Sequence, residues 1–417
     1  MLVKSTLAAL GLTTAAAVGA QDSTEATAPT PDPFVEAISN NLYPLEQGDD
    51  GALSGAGYDL LMEQAEQAQF FLIGEKHATA DIAIVAGRLH DGLAQRDYGH
   101  MVAEIGPWST MKAEALIRSG DGELANFIAT PGNQFTLPFL FFTEEIQFVE
   151  QIVRQSPHGE EVLWGVDQEF LGAGPIIAPI LQDAVQTPEQ EAAVATLVSG
   201  VASNPMYLGT APDAEIAALV TAFEGAPGPE VEITQALALT HEIYGPFTRG
   251  TGPIYPANLA RENYMKDNFL FHLSQAEERL GFVPKAVFKF GGFHLERGLS
   301  GTNVPSLGNF VMEWGRSRGL SSVHVMMDCV DGEAFEIMKG GPGPCTSYSL
   351  AEGSPILAAL SDAKMSVIDL RALRPLLGRK KDLDAKTRDL ILSYDFYIPI
   401  RGVKPATPAA DLTMPNM

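Results

Sequence analysis

Cysteine is almost missing: the 417 residues include two, Cys329 and Cys345. Their spacing matches no metal-thiolate motif. They flank a Gly/Pro-rich loop, Gly340-Gly341-Pro342-Gly343-Pro344. Two readings stay open from the sequence, a local disulfide closing that loop in an oxidising compartment or two unpaired thiols.

Basic residues are also scarce. Lys and Arg number 27 against 52 Asp and Glu, a formal net charge of −25, and no Lys/Arg-rich stretch occurs. Phosphate-rich partners demand basic surface, so nucleic acid and anionic membrane are excluded. The acidity reads as a solubility feature. Beyond the N-terminus no apolar run approaches the roughly 20 residues a membrane span needs.

Several catalytic motifs are missing too. There is no Gly-x-Ser-x-Gly elbow, which argues against an α/β-hydrolase serine site. Nor is there a His-Glu-x-x-His helix, a Walker motif or a Gly-x-Gly-x-x-Gly fingerprint.

The N-terminus has the pattern of an export signal. Residues 1–4 carry one positive charge, residues 7–18 are apolar and alanine-rich, and Val18-Gly19-Ala20 resembles a cleavage site. The expectation is a signal peptide over 1–20 and a periplasmic or secreted protein. No cysteine follows it, so no lipoprotein anchor is expected. Residues 21–33 read as a proline-rich disordered linker, 34–402 as one α/β domain, and 403–417 as a loop-like tail.

The stretch around which that domain is organised is Phe70-Phe71-Leu72-Ile73-Gly74-Glu75-Lys76-His77. Its apolar run has the composition of a buried parallel strand. An amphipathic helix follows, with Ile82, Val85, Ala86, Leu89 and Leu93 at helical spacing. Glu75 and His77 therefore fall on a strand-to-helix turn, where open α/β sheets bind ligands. Further strands are predicted at 100–105, 162–167, 285–290, 323–327, 366–368 and 394–400. The alternation with helices predicts an α/β fold with a mainly parallel central sheet flanked by helices. Residues 173–250 break the rhythm with four helical patterns, read as a helical insertion beside the strand C-terminal ends.

Five strands end on an ionisable group: Glu75/His77, Glu104, Asp167, His294 and Asp369. In a parallel sheet these ends share one rim. Two Gly-x-x-His turns, Gly74 to His77 and Gly291 to His294, reinforce the picture. Arg88 lies on the face of the opening helix that also carries Asp81. Two chemistries stay open. In one, His77 is a general base activating water, Glu75 or Glu104 orients its ring, and Arg88 or His294 stabilises the oxyanion. In the other, His77, His294, Glu75 and Glu104 ligate a divalent metal whose bound water attacks. Both predict a small-molecule substrate.

Taken in order, the Gly-Glu-x-His turn, the second strand ending in Glu104 and the late Gly-x-x-His resemble the erythromycin esterase/ChaN-like/TraB–TIKI superfamily, nearest its erythromycin esterase-like branch. Gly165-Val166-Asp167, Arg261 with Met265 and Asn268, and Val304-Pro305-Ser306-Leu307-Gly308 extend the likeness over roughly 68–400. The resemblance implies an α/β sheet with a strand-end cleft and, often, hydrolysis. It assigns site roles to Glu75, His77, Arg88, Glu104 and His294. One residue, Lys76, separates Glu75 from His77, as in ChaN-type haem-uptake proteins; erythromycin esterases typically have two. The late motif, Gly-Gly-Phe-His, lacks the doubled histidine typical of the esterases. The resemblance therefore implies haem or metal binding in the same cleft as the alternative to hydrolysis, and counts against a macrolide substrate.

Overall fold

The computed structural model describes residues 32–412; the expected signal peptide and most of the linker lie outside them. The central sheet has eight strands: β1 (Leu42–Pro44), β2 (Phe70–Glu75), β3 (Tyr98–Ala103), β4 (Leu163–Gly165), β5 (Lys285–Gly291), β6 (Ser322–Cys329), β7 (Ser366–Asp369) and β8 (Phe396–Ile400). Their spatial order is β1-β7-β8-β6-β2-β5-β3-β4. From β8 to β4 every pairing is parallel, whereas β7 runs antiparallel to both β8 and β1. All six residues of β2 are buried, as a strand covered on both faces must be.

Alternation along the strands sorts side chains into two cores. Phe71, Ile73, Met101, Ala103 and Val287 face one layer, with α1 (Ala80–Ala94) and α2 (Thr143–Gln155) above them. Phe70, Leu72, Val102, Phe288 and Phe290 face the other, under α3 (Ile254–Leu280). The four helices expected in the insertion form at Gly174–Asp183, Pro188–Ser203, Asp213–Phe223 and Glu230–Thr248. A capping box at Thr187 and Gln190 starts the second of them.

One expectation is revised. Asp369 ends a strand that runs the opposite way, so it leaves the shared rim and pairs with Arg371 instead. The segment after 402, read as a loop-like tail, runs as irregular chain over residues 403–412 and packs against the domain. Ala80 donates to the Lys404 carbonyl and Ala406 to the Ala78 carbonyl, both beside the Glu75–His77 turn.

The two cysteines form a disulfide, Cys329–Cys345, across 16 residues. Closing a loop of that length restricts the unfolded chain by about 3 kcal/mol. The Cys329→Ser/Cys345→Ser protein should lose about that much in urea unfolding; unchanged stability would mean the bond constrains nothing.

Candidate active site

Strand register brings the ionisable groups together. Glu75 on β2 lies level with Gly291 on β5, and Ile73 level with Lys289. Lys289 and Glu75 thus emerge diagonally on the same face, the one covered by α2. Lys289 Nζ sits 2.7 Å from Glu75 and 2.7 Å from Glu145 of α2. All three side chains are buried. Burial opposes the charge on Lys289, but the two carboxylates outweigh it and raise its pKa. Burial likewise works against an ionised Glu75, yet Lys289 and His77 hold its carboxyl below the usual range. For Glu145 burial wins, helped by the nearby Glu75 charge, and its pKa rises.

On the opposite face a second cluster forms around Glu104. Its Oε1 accepts from Arg261 at 2.9 Å and lies 3.3 Å from His294 Nε2, while the Gly291 N–H donates to Oε2 at 2.7 Å. Arg261 also grips Asp167 through Nε at 3.0 Å. His294 Nδ1 is 2.7 Å from Glu262, whose other oxygen accepts from the Leu307 N–H. Burial opposes ionisation of Glu104, but His294, His77 and Arg261 hold it well below the usual carboxylate range. Burial and Arg261 disfavour a charged His294; Glu104 and Glu262 overcome both and push its pKa up to about 10.

His77 bridges the two clusters. Nδ1 is 2.8 Å from Glu75 and Nε2 is 3.6 Å from Glu104. Its side chain is 30% exposed, against 3% for Glu75 and 6% for Glu104, so it is the member of this chain of contacts that solvent reaches. Phe139 stacks on its ring at 4.2 Å and 17°. Gly291 must lack a side chain, because a Cβ there would lie 2.5 Å from Nε2. Ala78, next in the chain, and Phe139, stacked on the ring, both have left-handed backbones (φ 68° and 65°). Strain of this kind collects at functional sites.

Of the residues expected in the site, Glu75, His77, Glu104 and His294 converge. Arg88 does not join them: it is 43% exposed and pairs with Asp91 at 3.6 Å. Asp81, expected beside it, instead bonds Lys364 and the Lys404 N–H. Arg261 holds the place beside Glu104, and Asp167 is its partner. Sequence reasoning missed Lys289, Glu145 and Glu262, although two of them left a trace. Lys289 is a lone cation inside the apolar run Ala286-Val287-Phe288-Lys289-Phe290. Glu145 precedes Val149 by four residues and Ile152 by seven, so it lies on the buried stripe of α2. Glu262 left no comparable signal.

These contacts also decide what the donors can hold. Glu75 is engaged by Lys289 and His77, Glu104 by Arg261, His294 and Gly291, and His294 by Glu262 as well. Among the described residues no group of three or more His, Cys, Asp or Glu could hold a metal ion. His77, His294, Glu75 and Glu104 therefore do not fit a divalent-metal set. Haem fits no better at His294, both of whose nitrogens are occupied.

Two cavities lie near this centre, although His77 itself lines neither. One of about 440 Å³ is lined by Gln168, Tyr244, Arg261, Glu262 and His294. The other, of about 800 Å³, has Phe139 in its wall.

The sequence matches no family model and no curated protein. Solved structures match by fold. A protein from Bacillus cereus is 16% identical with a TM-score of 0.58, over 90% of this chain and 98% of that one. A succinoglycan biosynthesis protein is 15% identical, also at 0.58, over 90% and 98%. A mutant of erythromycin esterase EreC in its open conformation is 14% identical, again at 0.58, over 84% and 95%. At these identities the likeness is one of fold, and the chain carries the erythromycin esterase-like fold.

Proposed function

We propose that this chain is a hydrolase of an ester-like or amide-like bond, with His77 as general base. The observation that carries the reading is the state of His77: partly exposed to solvent, pinned at Nδ1 by a buried carboxylate, and facing a second carboxylate across 3.6 Å at Nε2. Glu75 accepts the Nδ1 proton, which leaves the Nε2 lone pair to take a proton from water. The water oxygen attacks the substrate carbonyl carbon as its proton passes to Nε2. Collapse breaks the bond to the leaving oxygen or nitrogen, which receives that proton from His77. Arg261, which lines the cavity next to Glu104, supplies positive charge toward the developing oxyanion. The Lys289 charge keeps Glu75 ionised throughout.

The EreC likeness supports a hydrolase, though at the level of fold. Export is part of the proposal, supported by the apolar segment at 7–18 and by the disulfide.

The test is turnover of p-nitrophenyl esters by wild type and His77→Ala. Hydrolysis should fall by about 100- to 10,000-fold, the usual worth of a positioned base, with the circular dichroism spectrum unchanged. A haem Soret band in wild type that disappears in His77→Ala, with no ester turned over by either, would sink the hydrolase in favour of a binding protein.

A further inference from the structure

The two cavities near the site differ in charge, and the difference bears on the substrate. The larger is walled by Phe135, Phe139, Phe141, Phe170, Met206 and Phe247, and no charged side chain lines it. That absence is unusual in a chain with 52 acidic residues. A carboxylate or phosphate placed there would lose its hydration with no cation to pair with. Its volume of about 800 Å³ lies in the range of small-molecule sites. Phe247 and Met338, which also line it, are 59% and 69% exposed, so apolar surface continues to the mouth. Phe139 belongs to its wall and stacks on the base.

The smaller cavity is the more polar of the two. Arg261, His294 and Glu262 bring charge of both signs, and Asn258, Thr302 and Asn303 line it beside apolar Ile243 and Ile254. Gln168 is only 2% exposed; its Nε2 donates to the Tyr244 hydroxyl at 3.2 Å. Its Oε1 has no hydrogen-bond partner among the described residues. A buried acceptor left unpaired is costly, and a donor on a ligand would satisfy it. Phe247 lines both cavities and marks their boundary.

We infer that the substrate is an amphipathic, uncharged ester or amide. Its apolar acyl or aryl group occupies the phenylalanine-walled cavity, and its hydroxyl-bearing flank donates to Gln168 in the polar one. This deepens the hydrolase reading and rests on it.

The experiment separates binding from turnover. N-phenyl-1-naphthylamine, a neutral apolar fluorophore, should bind wild type and His77→Ala alike and be displaced by p-nitrophenyl octanoate. Met338→Asp, an exposed position where folding tolerates charge, should weaken that binding about tenfold and lower kcat/KM for the octanoate ester relative to the acetate by a similar factor. Gln168→Leu should leave fluorophore binding intact. It should cut kcat/KM for glyceryl monooctanoate relative to ethyl octanoate by about tenfold or more. The assignment is overturned if the fluorophore does not bind, or binds equally to Met338→Asp, or if Gln168→Leu treats the two octanoates alike. Fluorophore binding that responds to Met338→Asp, with no ester hydrolysed by wild type, would overturn the hydrolase reading and keep the apolar site.

Discussion

Lys289→Met should abolish hydrolysis and destabilise the protein by about 3–5 kcal/mol, the usual cost of removing one partner from a buried ion cluster. Methionine matches the lysine stem in length, so the loss is one of charge rather than packing. Without the ammonium group, Glu75 and Glu145 face each other in the core, each previously 2.7 Å from Nζ. Two buried carboxylates at such range cannot both stay ionised, and they come to share a proton. Burial already lifts the Glu145 pKa, and loss of Lys289 removes the largest influence holding Glu75 down. A protonated Glu75 no longer anchors His77 as a base.

The double variant Lys289→Met/Glu145→Met distinguishes this account from simple damage to the core. It removes the carboxylate pair and leaves Glu75 bonded to His77, so it should recover part of the lost stability. Urea unfolding measures both effects. A double variant no more stable than the single one would show that the carboxylate conflict is not the cause.

The second large effect concerns pH. The folded pKa of His294, about 10, lies far above the ordinary histidine value of 6.5. The protonated ring therefore adds stability that is fully present below pH 6.5 and is lost as pH rises through about 10. At roughly 1.36 kcal/mol per unit, the contribution is on the order of 5 kcal/mol. Glu104 shares the same contact, so its lowered pKa is not an additional gain. Its share is present above the ordinary carboxylate value and disappears in acid.

Stability from urea unfolding at pH 6, 8 and 9.5 should fall steeply in wild type. His294→Gln keeps a hydrogen-bonding side chain without the titration, so its profile should be several kcal/mol flatter over that window. Equal slopes would show that His294 is not held protonated by Glu104 and Glu262.

Much of this molecule was legible along the chain. The strand 70–73, the turn bearing Glu75 and His77, the acid at 104 and the Gly-x-x-His at 291–294 all stand where local pattern puts them. Hydrophobic periodicity and strand ends are encoded within a few residues, and so were the insertion helices. Arg88 illustrates the limit. Periodicity placed it off the core stripe of its helix, and there it faces solvent and pairs with Asp91 instead of reaching the site. Asp369 ends a strand as expected, yet no local signal reveals that the strand runs backwards.

The charge partners were decided only by the tertiary structure. Lys289 meets Glu145 across 144 residues, and the Gly291 N–H meets Glu104 across 187. Which charges face one another depends on strand order, and on which sheet face each helix covers. A strand's own sequence tells that a face is buried, not what is packed against it. The sequence by itself determined the parts of the rim; long-range packing decided that Lys289, Arg261 and Glu262 would be the residues that hold His77 and His294 in place.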